Sequence, residues 1–240
     1  VQPDAHGGIL CRVAVILWHI EVSHYNEKVR WALDYKGIPH ERRVPMPGLH
    51  GLRALRHRDF RLFFAGQGTS QLGTWLQLMA TSWLVYRLTE SAFLLGVAAF
   101  AIQIPFLVLA PLAGVLVDRL DPRRMLLITN SIAATQALAM FALVATGRVE
   151  AWHLIAGNLV LGLVNACDSP ARQSILIRLV GGRADLANAI ALNSSMMNGA
   201  RFLGPMVGGA LIAALGEAWG FGLNVVSYFA MLAALWKIHP

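Results

Sequence analysis

From Phe60 onward the chain alternates long apolar runs with short polar turns, and six runs come near the roughly 20 residues that a helix needs to cross a hydrocarbon core. The pattern predicts helices over residues 62–86, 93–117, 125–146, 152–167, 186–215 and 219–236. The turns fall into two alternating sets, as six consecutive spans require. Residues 88–91, 147–150 and 216–217 belong to one side; residues 118–124, 170–185 and 237–239 belong to the other.

The first fifty residues follow a different rhythm. Residues 13–18 read as a short apolar strand, 25–36 as an amphipathic helix with Val29, Ala32 and Leu33 inward, and 39–44 as a second strand. Gly37 closes that helix. The expected organisation is therefore a β-α-β fragment over residues 1–50 and an all-α membrane domain of six transmembrane helices over residues 51–240, with a linker at Pro45, Pro47, Gly48 and Gly51.

Composition supports the membrane reading. The 240 residues are 56% hydrophobic and 14% charged, against about 25% charged in ordinary soluble domains. The formal charge of +7 could suit a nucleic-acid binder, but the basic residues sit beside apolar spans and not along one polar helix, so nucleic acid is not an expected partner. Residues 9–18 are too short, and too interrupted by Arg12, to read as a signal peptide, so the spans themselves are expected to direct insertion.

Charge also sets orientation, because short loops rich in lysine and arginine stay in the cytoplasm. One side collects Arg53, Arg56, Arg58, Arg61, Arg119, Arg123, Arg124, Arg172, Arg178, Arg183 and Lys237, whereas the other has only Arg87 and Arg148. Both ends are expected on the cytoplasmic side of the plasma membrane, in contact with the lipid bilayer. Cys11 and Cys167 are far apart and the histidines lack ligand spacing, so neither a metal site nor a disulfide framework is expected. No cofactor is implied.

The densest charge cluster of the second half is Gly114-Val-Leu-Val-Asp118-Arg119-Leu-Asp121-Pro122-Arg123-Arg124. A carboxylate at a helix C-terminus opposes the helix dipole and calls for a nearby cation or helix N-terminus. The run resembles the loop between helices two and three of the major facilitator superfamily, which reads Gly, three residues, Asp, Arg, then paired basic residues. Asp121 and Pro122 stand where that pattern is often led by glycine. The resemblance implies a conformational latch at Gly114, Asp118, Arg119, Arg123 and Arg124, closing partly against a second six-helix half. Asp168 is expected to join it by pairing with Arg119 or Arg124, and Pro170 to end or kink the fourth helix.

A second run, Asn198-Gly199-Ala-Arg201-Phe-Leu-Gly204-Pro205-Met-Val-Gly208-Gly209, resembles the Gly-Pro-x-x-Gly-Gly motif of facilitator exporters. Small residues let helices approach closely, which makes Gly199, Gly204, Pro205, Gly208 and Gly209 a helix-packing motif. Arg201 is costly inside a span and calls for water or an acid; it either snorkels to the interface or faces a cavity. The resemblance makes Gln71, Gln77, Asn158 and Arg201 candidates for the path of a small-molecule substrate whose identity the chain does not reveal. The arginine-bearing motif of the fourth helix in many facilitator antiporters is missing, with Asn158 and Gly162 in its place.

Residues 17–41, from Leu17-Trp-His through Ser23-His-Tyr-Asn to Pro39-His-Glu41, resemble the thioredoxin-like start of glutathione transferases. The resemblance places Ser23 where those enzymes activate glutathione, and it ends before their cis-proline loop. The function expected is transport, not catalysis, by the N-terminal half of an efflux-type facilitator. A membrane-tethered transferase-like protein and a truncated or chimeric non-transporting fragment are the alternatives.

Overall fold

The computed structural model describes residues 15–18, 34–37, 40–43, 54–180 and 183–238, with the backbone alone described at 15–18, 40–43, 110–119, 183, 184 and 187. The chain divides into two compact units, Val1–His50 and Gly51–Pro240.

In the first unit, β1 (Val15–Trp18) pairs in parallel with β2 (His40–Arg43), in a register that sets Val15 opposite His40. Parallel neighbours need a crossover connection. Most of the helix expected there, and Ser23 with it, lies outside the described residues. Asp34 and Tyr35 are helical, and Gly37 follows at φ +62°, a left-handed conformation that glycine adopts without a Cβ clash.

Among its described residues the second unit holds six long helices: α1 (Arg58–Thr89), α2 (Ala92–Arg119), α3 (Pro122–Ala145), α4 (Ala151–Leu179), α5 (Arg183–Leu215) and α6 (Ala218–Lys237). Among the described residues four of them, α2 through Leu109 together with α3, α4 and α6, are both long and apolar enough to cross a membrane. With 32 and 33 residues, α1 and α5 are long enough as well, and α1 is the most polar of the six. In α1 much of that polarity turns inward, at Gln67, Ser70, Gln77 and Thr81.

α4 runs a dozen residues beyond its expected end, and Pro170 lies inside it. The proline removes one backbone donor. Continuation is favoured because the following turns bury Ala171, Ile175, Leu176 and Leu179 against Phe60, Phe63, Met125 and Leu126.

α1 packs chiefly on α6 and α5, α4 on α3 and α2, and α3 on α6. Exchanging α1 with α4, α2 with α5 and α3 with α6 maps these pairings onto themselves. A bundle made of two three-helix repeats has that property. Close contacts fix the directions: Gly66 meets Ala234 and Gly73 meets Ser227, so α1 and α6 run antiparallel, whereas Gly68 meets Met196 and Gly208 meets Met79, so α1 and α5 run parallel.

Among the described residues three apolar clusters stack along the bundle, one near Phe60 and Leu235, one around Ala137 and Tyr228, and one near Leu84 and Phe221. The surface is apolar as well, with Phe93, Leu107, Phe202 and Trp236 each about three-quarters exposed. Buried amides beneath an oily exterior reverse the usual arrangement of a water-soluble domain and suit a lipid solvent.

Candidate functional site

Asp168 and Arg172 are four residues apart on α4, which puts them on one helix face with the acid N-terminal to the base, the favourable order. They form an ion pair in which the Asp168 side chain is 2% exposed. α3 supplies two donors to the same carboxylate oxygen: Thr129 Oγ1 at 2.8 Å and Asn130 Nδ2 at 3.1 Å. On the other side Arg172 donates through Nη1 to Gln71 Oε1 of α1 at 3.0 Å. One buried charge pair thus joins α1, α3 and α4. Arg124, expected as a partner of Asp168, is exposed, and the side chains of Gly114, Asp118 and Arg119 lie outside the described residues.

The rest of the α2–α3 turn is fastened within this unit. Asp121 caps α3, accepting from the Arg123 amide at 3.4 Å, and stands 3.6 Å from the Arg178 guanidinium of α4. Arg123 donates to the last carbonyls of α6, from Nε to Leu235 O at 2.9 Å and from Nη2 to Trp236 O at 3.1 Å. A cation there satisfies orphan carbonyls and complements the helix dipole. Arg123→Ala is expected to fray the end of α6 and cost about 1.5–3 kcal/mol, the range for hydrogen bonds to charged groups. Limited proteolysis next to Trp236 reads it, and unchanged cleavage would argue against the cap.

Two candidates for the substrate path serve as helix connectors in this unit. Gln77 donates to Gln136 Oε1 at 2.9 Å and accepts from Asn224 Nδ2 at 2.7 Å, tying α1 to α3 and α6. Asn158 donates to Ala98 O at 2.8 Å, and one turn later Gly162 lies so near the Ile102 carbonyl that a Cβ would sit 2.4 Å from its oxygen. These contacts hold α4 against α2.

The glycines of α5 divide by what they face. A Cβ on Gly204 would lie 2.3 Å from that of Trp75, and one on Gly208 would lie 3.3 Å from Leu76; Gly199 and Gly209 face open space. Arg201, exposed, holds its guanidinium carbon 5.7 Å from the Trp75 ring centroid. Further along the same seam a cavity of about 400 Å³ is lined by Met79, Trp83, Gly209, Ile212, Ala213 and Glu217. Its acid is neutralised, because Glu217 pairs with Arg87 and accepts from Trp83 Nε1 at 3.1 Å.

The Asp168–Arg172 pair was open to discovery from its i, i+4 spacing alone. Sequence reasoning passed over it because Arg172 counted as one more cytoplasmic cation.

Residues 17–59 match the N-terminal domain of glutathione S-transferases. Among curated proteins, the chain is 26% identical over 181 residues to a staphyloferrin A transporter of Staphylococcus aureus, covering 75% of this chain and 45% of that protein. It is 31% identical over 170 residues to the uncharacterized MFS-type transporter YfiS of Bacillus subtilis, covering 69% and 38%. It is also 29% identical over 153 residues to the multidrug efflux pump Tap of Mycolicibacterium fortuitum, covering 62% and 37%. The chain thus spans less than half the length of these relatives. Residues 50–240 match the transmembrane secretion effector family, and with this match over the whole helical unit the chain belongs to that family of the major facilitator superfamily.

Proposed function

We propose that residues 51–240 form one six-helix half of an efflux-type secondary transporter in the plasma membrane, with both ends of the unit cytoplasmic. The observation that carries this reading is the self-mapping pattern of helix pairs in a chain of this family. Facilitators work by rocking two such halves about a midplane site, so a second half or a second copy completes the machine. Gly114, Asp118, Arg119, Arg123 and Arg124 serve as the cytoplasmic latch in this reading, and Asp168 anchors the α4 side of it through Arg172. Residues 1–50 are a transferase-like β-α-β fragment without glutathione chemistry of its own.

Reconstitution in vesicles tests transport, with ethidium and carboxyfluorescein as probes under an imposed proton or sodium gradient. Flux above empty vesicles that rises with the square of protein density supports pairing of two copies. No flux of either dye at any density would overturn transport by this chain and leave the reading of a non-transporting fragment.

Orientation has its own test. In a background carrying Cys11→Ser and Cys167→Ser, Glu150→Cys is expected to react with a membrane-impermeant maleimide on intact cells, whereas Arg124→Cys reacts only after lysis. The reverse labelling would invert the topology.

A further inference from the structure

Arg201 is the residue that the helical architecture leaves unexplained. It lies fourteen residues before Leu215, the last residue of α5, and Trp75 lies fourteen before Thr89, the last of α1. Each is therefore about 21 Å from the outer end of its helix, at matching depth on parallel helices. A guanidinium turned to lipid at that depth costs at least a few kcal/mol. Stacking on the indole of Trp75 holds it along the α1–α5 seam, away from the headgroups. Among the described residues no acid pairs with it. Arg172, the other guanidinium beside α1, is already neutralised by Asp168.

The surroundings set a polar stripe beside an apolar cavity. Ser194 and Asn198 precede Arg201 at helical spacing and are exposed as it is, so a polar stripe runs along a helix of membrane-spanning length. In the outward direction the seam changes character. Gly209, eight residues and about 12 Å on, faces open space and helps line the cavity beside Met79, Ile212 and Ala213. Among the described residues the one acid lining that cavity, Glu217, is engaged by Arg87 and Trp83. A free cation at one end and an apolar chamber at the other complement a ligand with an anionic head and an elongated apolar body.

We infer that the α1–α5 seam is a substrate site for amphipathic anions, with Arg201 holding the carboxylate, Trp75 positioning the guanidinium, and the cavity beyond Trp75 taking the apolar body. This inference rests on the transport reading for its purpose and on the seam alone for its chemistry.

Binding to the full chain in lipid nanodiscs tests it, with 4-(biphenyl-4-yl)butanoate and its primary amide as matched probes and empty nanodiscs as the baseline for partitioning. The acid is expected to bind the unaltered chain about tenfold more tightly than the amide, as a charge-assisted contact predicts. Arg201→Gln brings the two affinities together. Gly209→Leu, which narrows the chamber, weakens both probes by roughly fivefold and leaves their ratio unchanged. Equal affinity of acid and amide for the unaltered chain overturns the inference without recourse to any variant. An Arg201→Gln chain that keeps the preference overturns the role of Arg201, and a Gly209→Leu chain that binds both probes normally overturns the role of the cavity. Anion preference in nanodiscs with no flux in vesicles removes the transport reading and leaves the site. Flux with no anion preference does the reverse.

Discussion

Asp168→Ala is expected to destabilise the helical unit by roughly 3–5 kcal/mol, the cost of breaking a buried ion pair from one side. The alanine leaves the Arg172 guanidinium without its counter-ion and strips Thr129 and Asn130 of their shared acceptor. Three helices lose their common tie, since Asp168 is what links Arg172, and through it Gln71 on α1, to Thr129 and Asn130 on α3. Replacing both charges, Asp168→Leu with Arg172→Met, is expected to restore most of the stability, because the desolvation of two ions disappears along with their attraction. Thermal unfolding of the purified unit in one detergent, run as a double-mutant cycle, measures the coupling. A single mutant within about 0.5 kcal/mol of the unaltered chain would show that the pair contributes no stability.

The second large effect belongs to the α1–α5 seam. Gly204→Ala puts a methyl group 2.3 Å from the Trp75 Cβ, too close for either helix to stay in place, and overpacking of this kind costs about 1–3 kcal/mol or more. Gly208→Ala meets Leu76 and Met79 at 3.3 to 3.5 Å, mostly at side-chain atoms that can yield; its penalty should be smaller. Gly199→Ala and Gly209→Ala enter open space and should be neutral or slightly stabilising, as the helix propensity of alanine favours them by about 1 kcal/mol. The order of melting temperatures is the test. A Gly204→Ala chain that melts with Gly199→Ala would rule out the close approach of α5 to Trp75.

The cluster at Asp168 explains why the boundary of α4 was the hardest to read. Hydropathy alone stops the fourth helix near Cys167, because a charge, a serine and a proline follow at once. The helix continues since Asp168 and Arg172 neutralise each other and Ala171, Ile175 and Leu179 find a core. Polarity that a linear pattern assigns to a loop was consumed inside the bundle. Gln77 and Asn158 illustrate the same limit: a buried amide and a cavity-lining amide look alike until the partners Gln136, Asn224 and the Ala98 carbonyl are in place.

By itself the sequence determined what local chemistry can encode: apolar runs that form long helices, polar turns between them, the bias of arginine toward one side, and a shift in pattern between residues 1–50 and 51–240. These properties follow from hydrophobic period and charge along a short stretch, so they need no partner. Tertiary structure alone decided which glycines of α5 are crowded and which are open, that Arg123 caps α6, and that Asp168 binds its own helix neighbour. Each of those outcomes depends on which helix stands alongside, and that choice is made by packing over distances in sequence that no local pattern records.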